Sequence, residues 1–165
     1  PYGGSEIYTP GKPLGIDSDG ESLIAMAVDQ LGVELLSIDS LGADPVLIGR
    51  VDTQGNAEKV TLTSSGVFVA CDNAGAAYIP IENFGTANPA NSFGTDFTVD
   101  HVAVHNNIAA LSIGSRGLAL YDISDPEYPI EKGVFPIGYT YMSAFWEGKL
   151  LVCSREGLQL IAIAQ

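Results

Sequence analysis

Few side chains of this 165-residue chain could do chemistry, and they are widely scattered. Cys71 and Cys153 each stand four residues before a glycine, Gly75 and Gly157. Aligned places elsewhere hold Val28 and Ile113, so both cysteines read as small buried hydrophobes, without a disulfide. His101 and His105, with Asp100, fall on one strand. Residues four apart share a strand face, so both imidazoles are expected toward a central channel. A metal centre needs at least three converging ligands, and no third is marked out, so no metal and no cofactor are expected. Asp17-Ser-Asp-Gly20 begins like a calcium loop, but no further oxygens follow at the required spacing before Leu23-Ile24, and it reads as a hairpin turn. Tyr139, Tyr141, Phe145 and Trp146 form the densest aromatic cluster, and Tyr139, Tyr141 and Trp146 are the candidate binding residues, suited to a sugar or a protein partner. The chain has no glycine-rich phosphate loop, no Gly-x-Ser-x-Gly elbow, no metalloprotease helix and no zinc-spaced Cys/His set. No residue is therefore assigned a catalytic role.

Composition narrows the partners. Twenty acidic residues face seven basic ones, for a formal charge of −13. Such a surface repels phosphate backbones and anionic lipid, which argues against nucleic-acid binding. No apolar run reaches the roughly 18 residues of a membrane helix, so membrane insertion is not expected. Acidic, lysine-poor composition rich in small residues is the association behind an extracellular or cell-surface expectation. The opening Pro1-Tyr2-Gly3-Gly4 fits a processed product or a piece of something longer.

The elements that carry these residues come from a repeat. Four segments align on a glycine followed by alternating apolar residues: Gly32-Val-Glu-Leu-Leu-Ser-Ile-Asp, Gly75-Ala-Ala-Tyr-Ile-Pro-Ile-Glu, Gly117-Leu-Ala-Leu-Tyr-Asp-Ile-Ser and Gly157-Leu-Gln-Leu-Ile-Ala-Ile-Ala, at spacings of 43, 42 and 40. Each follows a second apolar run (Leu23 to Val28, Val67 to Cys71, Ile108 to Ile113, Leu150 to Cys153). Before each run come a turn and a shorter strand-like piece. Pro45, Pro89, Pro126 and Pro129 mark the link to a fourth strand. A period of about forty residues with four strands predicts a propeller blade. The stretch from Glu21 to Leu36 has helix-forming composition, but the aligned Val67-Phe-Val69 and Leu150-Leu-Val152 favour strands. The expected fold is thus an all-β propeller, one domain of four blades with four antiparallel strands each. Residues 1–13 form a closing strand, and the repeats run about 14–55, 56–97, 98–138 and 139–165.

Gly117-Leu-Ala-Leu-Tyr-Asp-Ile-Ser-Asp-Pro-Glu-Tyr-Pro-Ile-Glu-Lys-Gly133 resembles the LVIVD repeat of bacterial and archaeal surface proteins, in which an apolar strand ends in Asp before a Ser-Asp-Pro-x-x-Pro turn. Leu36-Ser-Ile-Asp-Ser-Leu-Gly-Ala-Asp-Pro45 keeps a weaker version, and the second unit departs further, with Glu82-Asn-Phe-Gly-Thr-Ala-Asn-Pro89. The fourth unit stops before the turn. The resemblance implies a propeller in an exported or surface setting and carries no catalytic residues.

The fourth unit ends at Gln165, without its outer strand, whereas Ser5-Glu6-Ile7-Tyr8-Thr9-Pro10-Gly11 precedes the first inner strand. Glu6, Ile7, Tyr8 and Thr9 are therefore the expected assembly strand, completing the last blade of the same chain or of a neighbouring one and covering an open edge. Half of a larger propeller is the third arrangement. The functional expectation is a non-catalytic structural module binding proteins, including copies of itself. The alternatives are a propeller that binds carbohydrate or protein at its aromatic face, and a propeller-scaffold hydrolase or lyase.

Overall fold

The computed structural model describes residues 7–39 and 43–163, so Glu6 and the earlier residues of the expected closing strand lie outside it. Four antiparallel sheets follow one another along the chain. Blade 1 is β1 (Gly15–Ser18), β2 (Leu23–Ala27), β3 (Val33–Ser37) and β4 (Val46–Val51). Blade 2 is β5 (Lys59–Leu62), β6 (Gly66–Ala70), β7 (Ala76–Pro80) and β8 (Asn91–Phe93). Blade 3 is β9 (His101–His105), β10 (Ile108–Ser112), β11 (Leu118–Asp122) and β12 (Ile130–Phe135). Blade 4 has three strands, β13 (Thr140–Trp146), β14 (Lys149–Ser154) and β15 (Gly157–Ala162). The helix-like composition from Glu21 to Leu36 gives way to β2 and β3, because their side chains are buried between sheets and packing outweighs propensity.

The strands of blades 2 and 3 are apolar on both faces because each of those blades is covered on both sides, as in any sheet stacked between two others. Ala25, Ala27, Val33 and Leu35 of blade 1 meet Val67, Val69, Cys71, Ala77 and Ile79 of blade 2. The other face of blade 2, with Phe68, Ala70, Ala76, Tyr78 and Phe93, meets Ala109, Leu111, Ile113, Ala119 and Tyr121 of blade 3. Ala103, Ala110 and Leu118 of blade 3 then meet Leu150 and Val152 of blade 4. We call the face turned toward the following blade the front and the opposite face the back. Isolated backbone bridges fasten each joint at equivalent places: Asp29 with Ala57, Asp72 with Val99, and Gly114 with Thr140.

The row is open. Inner strands touch in succession, β1 with β5, β5 with β9 and β9 with β13, and no comparable contact joins β13 to β1 among the described residues. This corrects the expectation that Ile7, Tyr8 and Thr9 pair with the last blade of their own chain: residues 7–14 form no strand, and among the described residues β15 ends the fourth sheet unpaired. The reason is positional, since that segment is held at blade 1, the opposite end of the row. There, a Cβ on Gly11 would fall 2.4 Å from Val28 Cγ1 and 2.9 Å from Leu31 Cδ1.

Candidate functional site

The surface that stands out is the front of blade 4. Strand register places Met142, Ala144 and Trp146 of β13 beside Cys153, Leu151 and Lys149 of β14, which lie beside Leu158, Leu160 and Ala162 of β15. On blades 1 to 3 the equivalent places are core: Ala25, Ala27, Val33 and Leu35; then Phe68, Ala70, Ala76 and Tyr78; then Ala110, Ser112 and Leu118. On blade 4 the same kind of face meets solvent, with Leu158 70%, Leu160 55% and Trp146 52% exposed. Lys149 is its one charged strand position. A contiguous apolar face of this kind marks an interaction surface.

Beside it lies a cleft of about 780 Å³ between blades 3 and 4. Leu118, Leu120, Phe135 and Ile137 form one wall, and Ile161 and Ile163 the other. It opens along the free edge of β15, where the other blades carry their outer strand, and that edge offers unpaired backbone groups for strand addition.

The residues singled out from the sequence are dispersed by the fold. Tyr139 and Tyr141 stand together, with ring centroids 4.9 Å apart and the Arg155 guanidinium 4.9 Å from the Tyr139 ring. Trp146 lies five residues beyond Tyr141, roughly 16 Å at the rise of an extended strand, so the three do not form one patch. Phe145 points into the cleft and stacks on His105 at 5.3 Å. Of the assembly-strand residues, Tyr8 is 89% exposed and Ile7 40%.

The histidines do occupy an inner strand, but their shared face with Ala103 turns toward blade 4, not toward a channel. In this fold the two faces of every strand look at neighbouring blades, and only strand edges look at the axis. His105 is exposed, whereas His101 is largely buried, with no hydrogen-bond partner for Nδ1. Burial, and then Lys59, holds His101 below the usual imidazole range. No three potential metal ligands converge among the described residues. Because the folded pKa lies below the unfolded value of 6.5, the unfolded chain binds more protons as pH falls below that value. Stability should therefore be fullest above about pH 6.5 and fall as the solution is acidified. His101→Met, copying the equivalent Met142, should remove that part of the slope in urea titrations from pH 7.5 to 5. An unchanged slope would assign the proton uptake elsewhere.

The cysteines divide. Cys71 is buried, and desolvation pushes its thiol up to about 12. Cys153 is exposed, against the expectation of two buried thiols. The turn after β14 is one residue shorter than those after β2, β6 and β10, so counting back from the glycine lands one place early on the strand. A one-residue slip moves a side chain to the other face, and Cys153 pairs with Met142 on the open front. Asp17-Ser-Asp-Gly20 is the expected hairpin turn: Asp19 Oδ1 accepts from the amides of Glu21, Ser22 and Leu23 at 2.8–2.9 Å. Those bonds, the one from Leu23 foremost, hold the Asp19 carboxyl below its ordinary range.

The front-face residues Leu151, Leu158 and Leu160 were not singled out from the sequence. Their signal was Gly157-Leu-Gln-Leu-Ile-Ala-Ile-Ala, apolar on both strand faces although no described blade covers the front.

No family model matches the chain, and no curated protein does. Among solved structures it superposes on the computationally designed Ika4 protein with a TM-score of 0.74 at 10% identity, covering 97% of this chain and 96% of that one. The computationally designed Ika8 protein matches at a TM-score of 0.71 and 11% identity, over 92% of this chain and 46% of the other. The RRP9 WD40 repeats match at a TM-score of 0.70 and 11% identity, over 92% and 55%. The chain is a β-propeller of four blades, and it spans about half the length of the last two proteins.

Proposed function

We propose that this protein is a non-catalytic module that binds proteins and assembles through the free end of its blade row. The observation that carries the reading is the front of blade 4, built like an interior face and left open. WD40-repeat propellers share the fold, and their likeness supports a protein-interaction scaffold. The Ser-Asp-Pro-x-x-Pro turn of Asp122 to Pro129 and the acidic composition favour the LVIVD-like, cell-exterior setting. Strand addition to β15 is the mode that the open edge and apolar cleft support.

Leu160→Asp tests the reading. The side chain is exposed, so folding stability should shift by no more than about 0.5 kcal/mol, while association measured by sedimentation velocity is lost. Association equal to that of the unaltered chain would overturn the proposal.

A second reading rests on the Tyr139–Tyr141 pair beneath Arg155, an aromatic platform of the kind that stacks on sugar rings. Calorimetric titration across a glycan panel should then give heat that Tyr141→Ala abolishes, and a silent panel would exclude it.

A further inference from the structure

The chain carries both halves of one further blade joint. The front of blade 4 is one half. The back of blade 1 is the other: Ile16, Ile24, Met26, Val28 and Leu36 occupy the places of Val60, Val67, Val69, Cys71 and Ile79 on the back of blade 2. Of these, Ile16 is 69% exposed and Ile24 and Met26 are half-buried, whereas Val28 and Leu36 are already buried within the chain. Its charged member, Glu34, is buried and paired with Arg50.

The segment entering blade 1 also follows the path of a segment arriving from a preceding blade. Gly11 sits against Val28 and Leu31 as Gly55 sits against Cys71 and Ala74, where a Cβ would meet Cys71 O at 2.6 Å and Ala74 Cβ at 2.7 Å. Leu14 donates to Ala27 as Glu58 donates to Ala70, both at 2.9 Å. Thr9-Pro10-Gly11 therefore matches Thr53-Gln54-Gly55, which makes Ile7 the counterpart of Val51, the last residue of an outer strand. In the complete blades that residue pairs with the first residue after the repeat glycine: Val51 with Val33, Phe93 with Ala76, Phe135 with Leu118. In blade 4 that place is Leu158.

Resting on the assembly reading above, we propose that two copies of this chain close head to tail into one ring of eight blades. The front of blade 4 in each copy packs on the back of blade 1 in the other, and Ile7 of the incoming copy takes the last outer-strand place along β15, opposite Leu158. A second copy fits because it brings the matching face together with Ile7 at the outer-strand place, and a head-to-tail contact whose rotation closes after two copies leaves no free end. Pro13 stands where Ala57, Val99 and Thr140 donate a backbone N–H across the joint, so each new joint has one bond fewer than those within the chain. With a formal charge of −13 on each copy and apolar end faces, association should tighten as salt rises.

The test is cross-linking with a short bismaleimide in a Cys153→Ser background, Cys71 being buried. Ile7→Cys and Leu158→Cys variants, mixed, should give a covalent species of twice the chain mass that neither gives alone. In the double variant, a cross-link within one chain, leaving the mass unchanged, would overturn the second-copy assignment. Association without any cross-link would overturn the strand pairing and leave protein binding standing. If the unaltered chain does not associate at all, the assembly reading itself falls with it.

Discussion

Truncating Phe68 to alanine is expected to cost about 4 kcal/mol of folding stability, within the range for deleting a buried aromatic ring. Phe68 is 1% exposed and lies at the joint between blades 2 and 3. Its ring is tilted on Tyr78 at a centroid distance of 4.8 Å and meets Phe93 edge-on at 6.4 Å. Both neighbours are anchored by their own strands, so the site cannot collapse fully and a cavity remains. The loss adds to the transfer energy of the ring the contacts its neighbours forfeit. Urea unfolding measures it, and the comparison that matters is Leu158→Ala. That substitution on the open front should move stability by no more than about 0.5 kcal/mol. Measured on the dissociated chain, equal losses at the two positions would mean that the front of blade 4 is covered within a single chain.

Gly117→Ala should be comparably severe, and Gly157→Ala mild. Gly117 has φ +93°, and a Cβ there would lie 2.2 Å from Phe135 O and 2.9 Å from Ile137 N, backbone atoms that cannot step aside alone. Left-handed strain of about 1–3 kcal/mol combines with forced displacement of the outer strand, another 1–3 kcal/mol by the scale of overpacking. Gly157 occupies the same repeat position with φ +120°, but nothing lies within 4 Å of its Cβ position, because among the described residues blade 4 has no strand like the one that crowds the others. Gly157→Ala should therefore keep the fold at the cost of strain alone and block an incoming strand. Thermal unfolding measures the first effect and sedimentation the second. A Gly157→Ala chain that associates like the unaltered one would place the incoming strand elsewhere.

The blades were legible in the sequence because the repeat sets four glycine-anchored strands at nearly equal spacing, and averaging over units cancels local noise such as the helix-forming run near Met26. What stayed hidden depended on single-residue phase. Cys153 was assigned to the core by counting from Gly157, and the shortened turn before that glycine turned it to the other face. The histidine strand was placed correctly, but alternation says only that His101 and His105 share a face, not which neighbour that face meets. The open ring was also illegible, since closure depends on rotation between blades and periodicity carries no angle. The match of Thr9-Pro-Gly11 to Thr53-Gln-Gly55 was in the sequence throughout. Two identities in three residues carry little weight until Gly11 is seen pressed on Val28 as Gly55 is on Cys71 and Ala74.

The most direct measurement is the mass of the 165-residue chain in solution, by light scattering on a sizing column across a range of concentration and salt. A species of about twice 17.3 kDa is expected, giving way to single chains on dilution or in the Leu160→Asp variant. A particle that stays at 17.3 kDa at every concentration and salt would contradict it, leaving the front of blade 4 exposed without a partner of its own kind.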